Sequence, residues 1–141
     1  MTDNPVAPPS APPDTGRPLS PFMIPTYYRA QLTSTLSILH RATGVALTVG
    51  ALGLVAWLLA VSAGPWQFAS FARHLGTWYG QLALLGWSWA LMYHLCNGIR
   101  HLFWDLGRGY DLRTVYRSGW TAVAVSFALT GAAWVMARLV P

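Results

Sequence analysis

Lysine and glutamate are missing altogether, and only 9% of the 141 residues are charged, all of them Arg or Asp. Soluble domains carry about a quarter charged residues. Three stretches hold no charge at all: 42–72, 74–99 and 118–137, with 31, 26 and 20 residues. About 20 apolar residues, at roughly 1.5 Å rise each, cross the ~30 Å hydrocarbon core of a bilayer. An ordinary soluble globule and a large catalytic domain are thereby excluded. Cysteine is nearly absent too. Cys96 stands alone within an apolar stretch, so no intrachain disulfide and no cysteine cluster for zinc or iron–sulfur is available. Also missing are a Ser/His/Asp triad, a carboxylate pair, a Walker loop and a dinucleotide fingerprint.

What is present is 54% hydrophobic residues and a net charge of +5. Such a charge invites a nucleic-acid reading. The arginines, however, sit at the ends of apolar stretches rather than on one polar face, so no nucleic-acid partner is expected. The pattern predicts an all-α membrane protein with three transmembrane helices. Residues 1–16 hold five of the prolines and no aromatic residue, the composition of a disordered tail. They lack a signal peptide's apolar segment and a transit peptide's arginines, which favours a bacterial inner-membrane origin. Residues 17–38 are expected to form a short interfacial segment. Pro18, Pro21 and Pro25 keep its start extended, and Leu32, Leu36 and Leu39 then form a helical stripe. Thr33 or Ser34 is the expected cap. The three-helix domain would fill 39–141, with spans at 39–62, 78–104 and 119–139. Gly64-Pro65 breaks the first span, a short loop anchored by Trp66 and Arg73 follows, and a second loop covers 105–117.

Arginine distribution orients the chain. Arg17, Arg29, Arg41, Arg100, Arg108, Arg113 and Arg117 fall on one side, against Arg73 and Arg138 on the other. The positive-inside bias then puts the N-terminus in the cytoplasm and the C-terminus in the periplasm.

His94 is the most informative residue. An ionisable side chain deep in a span marks function by default. A neutral histidine bonded to a neighbouring helix is the plainer alternative. Ala90 and Gly98 flank it at four residues, Gly86 lies one step further, and His101 follows at seven. Residues so spaced share a helix face. Small residues around an imidazole leave room for a flat apolar group, and haem is one. Seven residues of rise put His94 about 10 Å deeper than His101. His40 and His74 lie at opposite edges, and neither is expected to reach the level of His94. A second axial ligand would therefore come from another polypeptide. His101 and Asp105 form either a polar helix-end pair or a rim for haem propionates. Ser37, His40, Arg41 and Gly44 share one face where the first helix is expected to begin. They either anchor the interface or bind a propionate or quinone oxygens, since a helix start attracts anions. Trp66, Trp78, Trp104 and Trp120 fit aromatic belts. Trp87, Trp89 and Cys96 are assigned to packing.

RPLSP at 17–21, LSILHRATGVAL at 36–47 and HLCNGIRHLFWDLG at 94–107 resemble the cytochrome b556 subunits of succinate dehydrogenase. These are the larger of two membrane anchors in respiratory complex II. The resemblance runs from 17 to about 140. The family usually has His after RPLSP, whereas Phe22 stands here, and 23–30 departs from its pattern. The resemblance implies partnership with a flavoprotein, an iron–sulfur protein and a second small anchor. It implies haem b clamped between the anchors, ubiquinone as substrate, and catalysis by the complex rather than the isolated chain. It makes His94 the axial ligand to the haem iron, puts His40, Arg41 and His101 near the propionates, and puts Ser37 and Arg41 at the quinone. Two other readings stand beside it. One is a purely structural anchor without haem, and the other a self-contained b-type cytochrome using His40 and His101. A transporter has little room in three short spans.

Overall fold

The computed structural model describes residues 30–139. They form four helices and, among the described residues, no strand: α1 Leu32–Ala63, α2 Pro65–Gly76, α3 Trp78–Asp105 and α4 Leu112–Leu139. The Pro-rich tail, RPLSP and most of the atypical stretch lie outside the described residues.

Helix α1 is continuous from Leu32, so residues 32–38 are its first turns and not a separate surface segment. Neither Thr33 nor Ser34 caps it. Gln31 holds the cap position in an extended conformation without a side-chain cap bond. The hydroxyls of Ser34 and Thr35 instead donate to the Gln31 carbonyl, at 3.3 and 3.0 Å. The break at Gly64-Pro65 is present: Gly64 has φ 119°, a value open chiefly to glycine. The expected loop behind it is helix α2. Proline at its first position is pre-set for helix, and Arg73 and His74 in its last turn suit the negative helix end. Phe71 and Leu75, four apart, turn into an apolar cavity of about 720 Å³ between α1, α2 and α3.

Helix α4 begins seven residues before the expected third span. Asp111 is the reason: its Oδ1 accepts from the Thr114 backbone N–H at 2.9 Å, the geometry of an N-cap. The second loop therefore shrinks to 106–111, with Gly107 and Gly109 at φ 71° and 81°. Hydrogen bonds from the Thr114 side chain and backbone hold the Asp111 carboxyl below the usual carboxylate range. Its folded pKa is lower than its unfolded one. The cap therefore stabilises the fold fully above about pH 4 and is lost as pH falls through the depressed value. Asp111→Ala should lower the thermal midpoint of the detergent-solubilised protein near pH 7. The difference from the parent should shrink in acid below about pH 4.

Helices α1 and α3 pack antiparallel, as do α3 and α4. Much of what lies between them is small or polar: Thr43, Ala90, Asn97, Ala122, Ser126 and Thr130 are all buried. Small residues let helix backbones approach where lipid removes the ordinary hydrophobic drive. Gly50 shows the closest approach, since a Cβ there would overlap the Trp87 indole. Trp89 stacks on Phe127 with ring centroids 5.3 Å apart. Gly50→Ala should cost about 1–3 kcal/mol by overpacking. Adding Trp87→Phe should recover part of the lost thermal midpoint, because the two residues share one contact.

The outer surface is apolar. Val45, Leu52 and Leu59 on α1 are 67%, 69% and 63% exposed, far more apolar exposure along one helix than soluble monomers carry. Helices α1 and α4 are long and apolar enough to cross a membrane, with mean hydropathy 2.2 and 1.6 over their most apolar windows. Helix α3, with 28 residues, has the length. It does not join them on hydropathy, because it carries Gln81, His94, Asn97, Arg100 and His101.

Candidate functional site

Three of the four histidines meet where α1 and α3 face each other. The His40 ring stacks on His94 at 3.9 Å between centroids, tilted 15°, and on His101 at 5.0 Å, tilted 17°. His40 thus lies between the other two. The expectation that it cannot reach the level of His94 is corrected. That expectation counted backbone rise along single helices, whereas α1 starts at Leu32 and its side chains interleave with those of α3. All three rings are half-buried. They stack and do not converge. Among the described residues no three His, Cys, Asp or Glu side chains gather to hold a bare metal ion.

Helix α1 seats His94 from two successive residues. Thr43 Oγ1 lies 3.2 Å from His94 Nδ1, and a Cβ on Gly44 would stand 3.3 Å from His94 Cε1. Thr43 is buried, and its hydroxyl donates to the His40 carbonyl at 2.9 Å. His94 Nε2 makes no hydrogen bond among the described residues. Around it the expected stripe of small residues divides. Ala90 is buried in the helix contact, while Gly86 and Gly98 face open space.

His101 does not bond to Asp105. Its Nδ1 donates to the Asn97 carbonyl at 2.7 Å, the nearer acceptor one turn back. Asp105 is exposed. His40 Nδ1 is buried without a partner among the described residues. Ser37 is half-buried and Arg41 exposed, four residues apart on the same helix. They lie in the second and third turns of α1, beyond the helix-start field, which fades within the first turn. Ser34, Thr35, Thr43, Thr48 and Ser62 each donate to an α1 carbonyl or to that of Gln31. The Ser37 hydroxyl makes no such bond. Cys96 is half-buried and lines a cavity of about 530 Å³ between α3 and α4, which places it outside the core.

Sequence reasoning gave no role to Thr43, Tyr93, Asn97 or Arg100 at this site. Tyr93 is fully buried, and its hydroxyl donates to the Leu36 carbonyl at 3.0 Å, locking α3 to α1 beside His94. Arg100 entered only as a charge to be counted. It is buried, donates to the Ser118 hydroxyl and the Val115 carbonyl at 3.0 Å each, and lies 4.0 Å over the Trp104 ring. Two signals were available: Thr43 sits three residues after His40, one back-bonding step, and Arg100 precedes His101 well inside the helix.

Long apolar helices enclosing a column of imidazoles define a helical membrane subunit whose polar chemistry lies between helices. The sequence matches the succinate dehydrogenase/fumarate reductase transmembrane subunits over residues 13–133, and the chain belongs to that family. It is 44% identical over 119 residues to the succinate dehydrogenase cytochrome b556 subunit of Rickettsia typhi, covering 84% of this chain and 91% of that protein. The Paracoccus denitrificans cytochrome b556 subunit is 39% identical over 113 residues, covering 80% and 85%. The cytochrome b560 subunit of Reclinomonas americana is 36% identical over 125 residues, covering 85% of each.

Proposed function

We propose that the chain is the haem b-carrying membrane anchor of a succinate:quinone oxidoreductase. It works with a flavoprotein, an iron–sulfur protein and a second small anchor. Helices α1, α3 and α4 cross the bacterial inner membrane, with the N-terminus cytoplasmic and the C-terminus periplasmic. The polar residues of α3 face the other helices and the cofactor, which is how a helix of modest hydropathy is carried across.

The residues fit haem. Stacking on His40 covers one face of the His94 ring and leaves its Nε2 edge for iron. Gly98 leaves space beside it. The unpartnered His40 Nδ1 and the exposed Arg41 supply a donor and a charge suited to propionates, with His101 bordering the same region. Haem b, when bound, supplies one-electron redox chemistry. Ser37 and Arg41 serve the quinone: the hydroxyl hydrogen-bonds the ring, and the guanidinium stabilises charge developing on its oxygen. The observation that carries the reading is His94 itself, a polar side chain midway along α3 with one nitrogen held by α1 and the other unengaged.

The self-contained cytochrome is disfavoured, because His40 and His101 stack with their planes 17° apart and do not oppose nitrogens across an iron. The purified complex should give a b-type reduced-minus-oxidised spectrum and contain three further subunits by mass. A complex without haem would favour the structural anchor.

A further inference from the structure

We infer that Thr43 is the positioning residue that fixes the tautomer and orientation of His94, so that Nε2 is the nitrogen offered to iron. The inference rests on the reading of His94 as the axial ligand. A threonine hydroxyl has a single proton. Here it is spent on the His40 carbonyl at 2.9 Å, the shorter of its two contacts. The Thr43 oxygen therefore accepts at its other contact, and His94 Nδ1, at 3.2 Å, is the donor. A neutral imidazole protonated at Nδ1 carries its lone pair on Nε2. Metal-bound histidines characteristically donate their other N–H to a fixed acceptor, which sets the ring's orientation and basicity. Thr43 has the burial this task needs, at 4% exposed. Gly44 gives independent support. The ring lies so close to its Cα that a Cβ would stand 3.3 Å from Cε1. One residue holds the imidazole by a hydrogen bond, and the next makes room for it.

A packing role for Thr43 makes the opposite prediction in a pair of variants. T43V keeps the branched shape and loses the acceptor, whereas T43S keeps the acceptor and loses a methyl. Each is read in the intact purified complex, with haem measured against flavin and the haem midpoint potential measured by redox titration. T43V should lower haem retention by roughly ten- to a hundredfold, and any haem it keeps should show a shifted potential. T43S should match the parent in both. Haem of parental amount and potential in T43V, or T43S as impaired as T43V, would overturn the inference. Should T43V not assemble, T43C (similar size, weaker acceptor) takes its place with the same two outcomes. His94→Ala run in parallel separates the two levels. Haem lost there but untouched in T43V sinks only the role of Thr43, whereas haem retained in His94→Ala sinks the ligand assignment beneath it.

Discussion

Replacing His94 by alanine should abolish the haem b spectrum of the purified complex while the four subunits still assemble. The physical basis is the His94 ring, held at Nδ1 by Thr43 and unengaged at Nε2, the nitrogen that the proposed site offers to iron. Losing an outer partner of a metal ligand typically weakens binding ten- to a hundredfold, and losing the ligand itself should exceed that. Assembly should survive, because the contacts joining the helices lie mainly elsewhere: Tyr93 to Leu36, Trp87 over Gly50, and Arg100 to Ser118. His40→Ala and His101→Ala should keep haem and change its potential, because the proposed site has them border the propionates without holding iron. The reverse result, with haem lost in both and kept in His94→Ala, would favour the self-contained cytochrome.

The second large effect is expected at the quinone. Arg41→Ala should depress succinate-dependent quinone reduction by roughly a hundredfold, the size of effect seen when a donor to developing charge is removed. Ser37→Ala would remove the proposed neutral hydrogen bond to the quinone, worth about 1 kcal/mol or roughly a factor of five. Succinate oxidation with an artificial acceptor should be unchanged in both, since that acceptor takes electrons before the membrane. Equal loss in the two assays would point to defective assembly. Full quinone activity in Arg41→Ala would remove the residue from the site.

Much of the architecture was readable because lipid imposes it. Three uncharged stretches of more than 18 residues leave few alternatives to long helices, and Gly64-Pro65 marks a break on its own. Helix α2 was not readable, because twelve residues between two breakers look like a loop until their apolar face finds a cavity. The start of α4 at Leu112 does not coincide with the end of the charged stretch. A helix can begin in charged sequence when an aspartate caps it, as Asp111 does.

The candidate site was legible as a set of residue types and not as an arrangement. His94 stood out by its depth, and the small residues Ala90 and Gly98 beside it pointed to room for a flat group. The contact of His40 with His94 is not legible in the sequence, because rise along one helix says nothing of how far a side chain reaches across to its neighbour. Tyr93 and Arg100 were invisible for a related reason: their partners, Leu36 and Ser118, lie 57 and 18 residues away in sequence.

The central claim is that this chain supplies one imidazole to a haem and that a neighbouring subunit completes the coordination. Electron cryo-microscopy of the assembled complex tests it most directly. The account predicts iron bonded to Nε2 of His94 on one face of the porphyrin and to a side chain of the second anchor on the other. A His94 ring turned toward lipid, or iron held by two residues of this chain or by none, would contradict it.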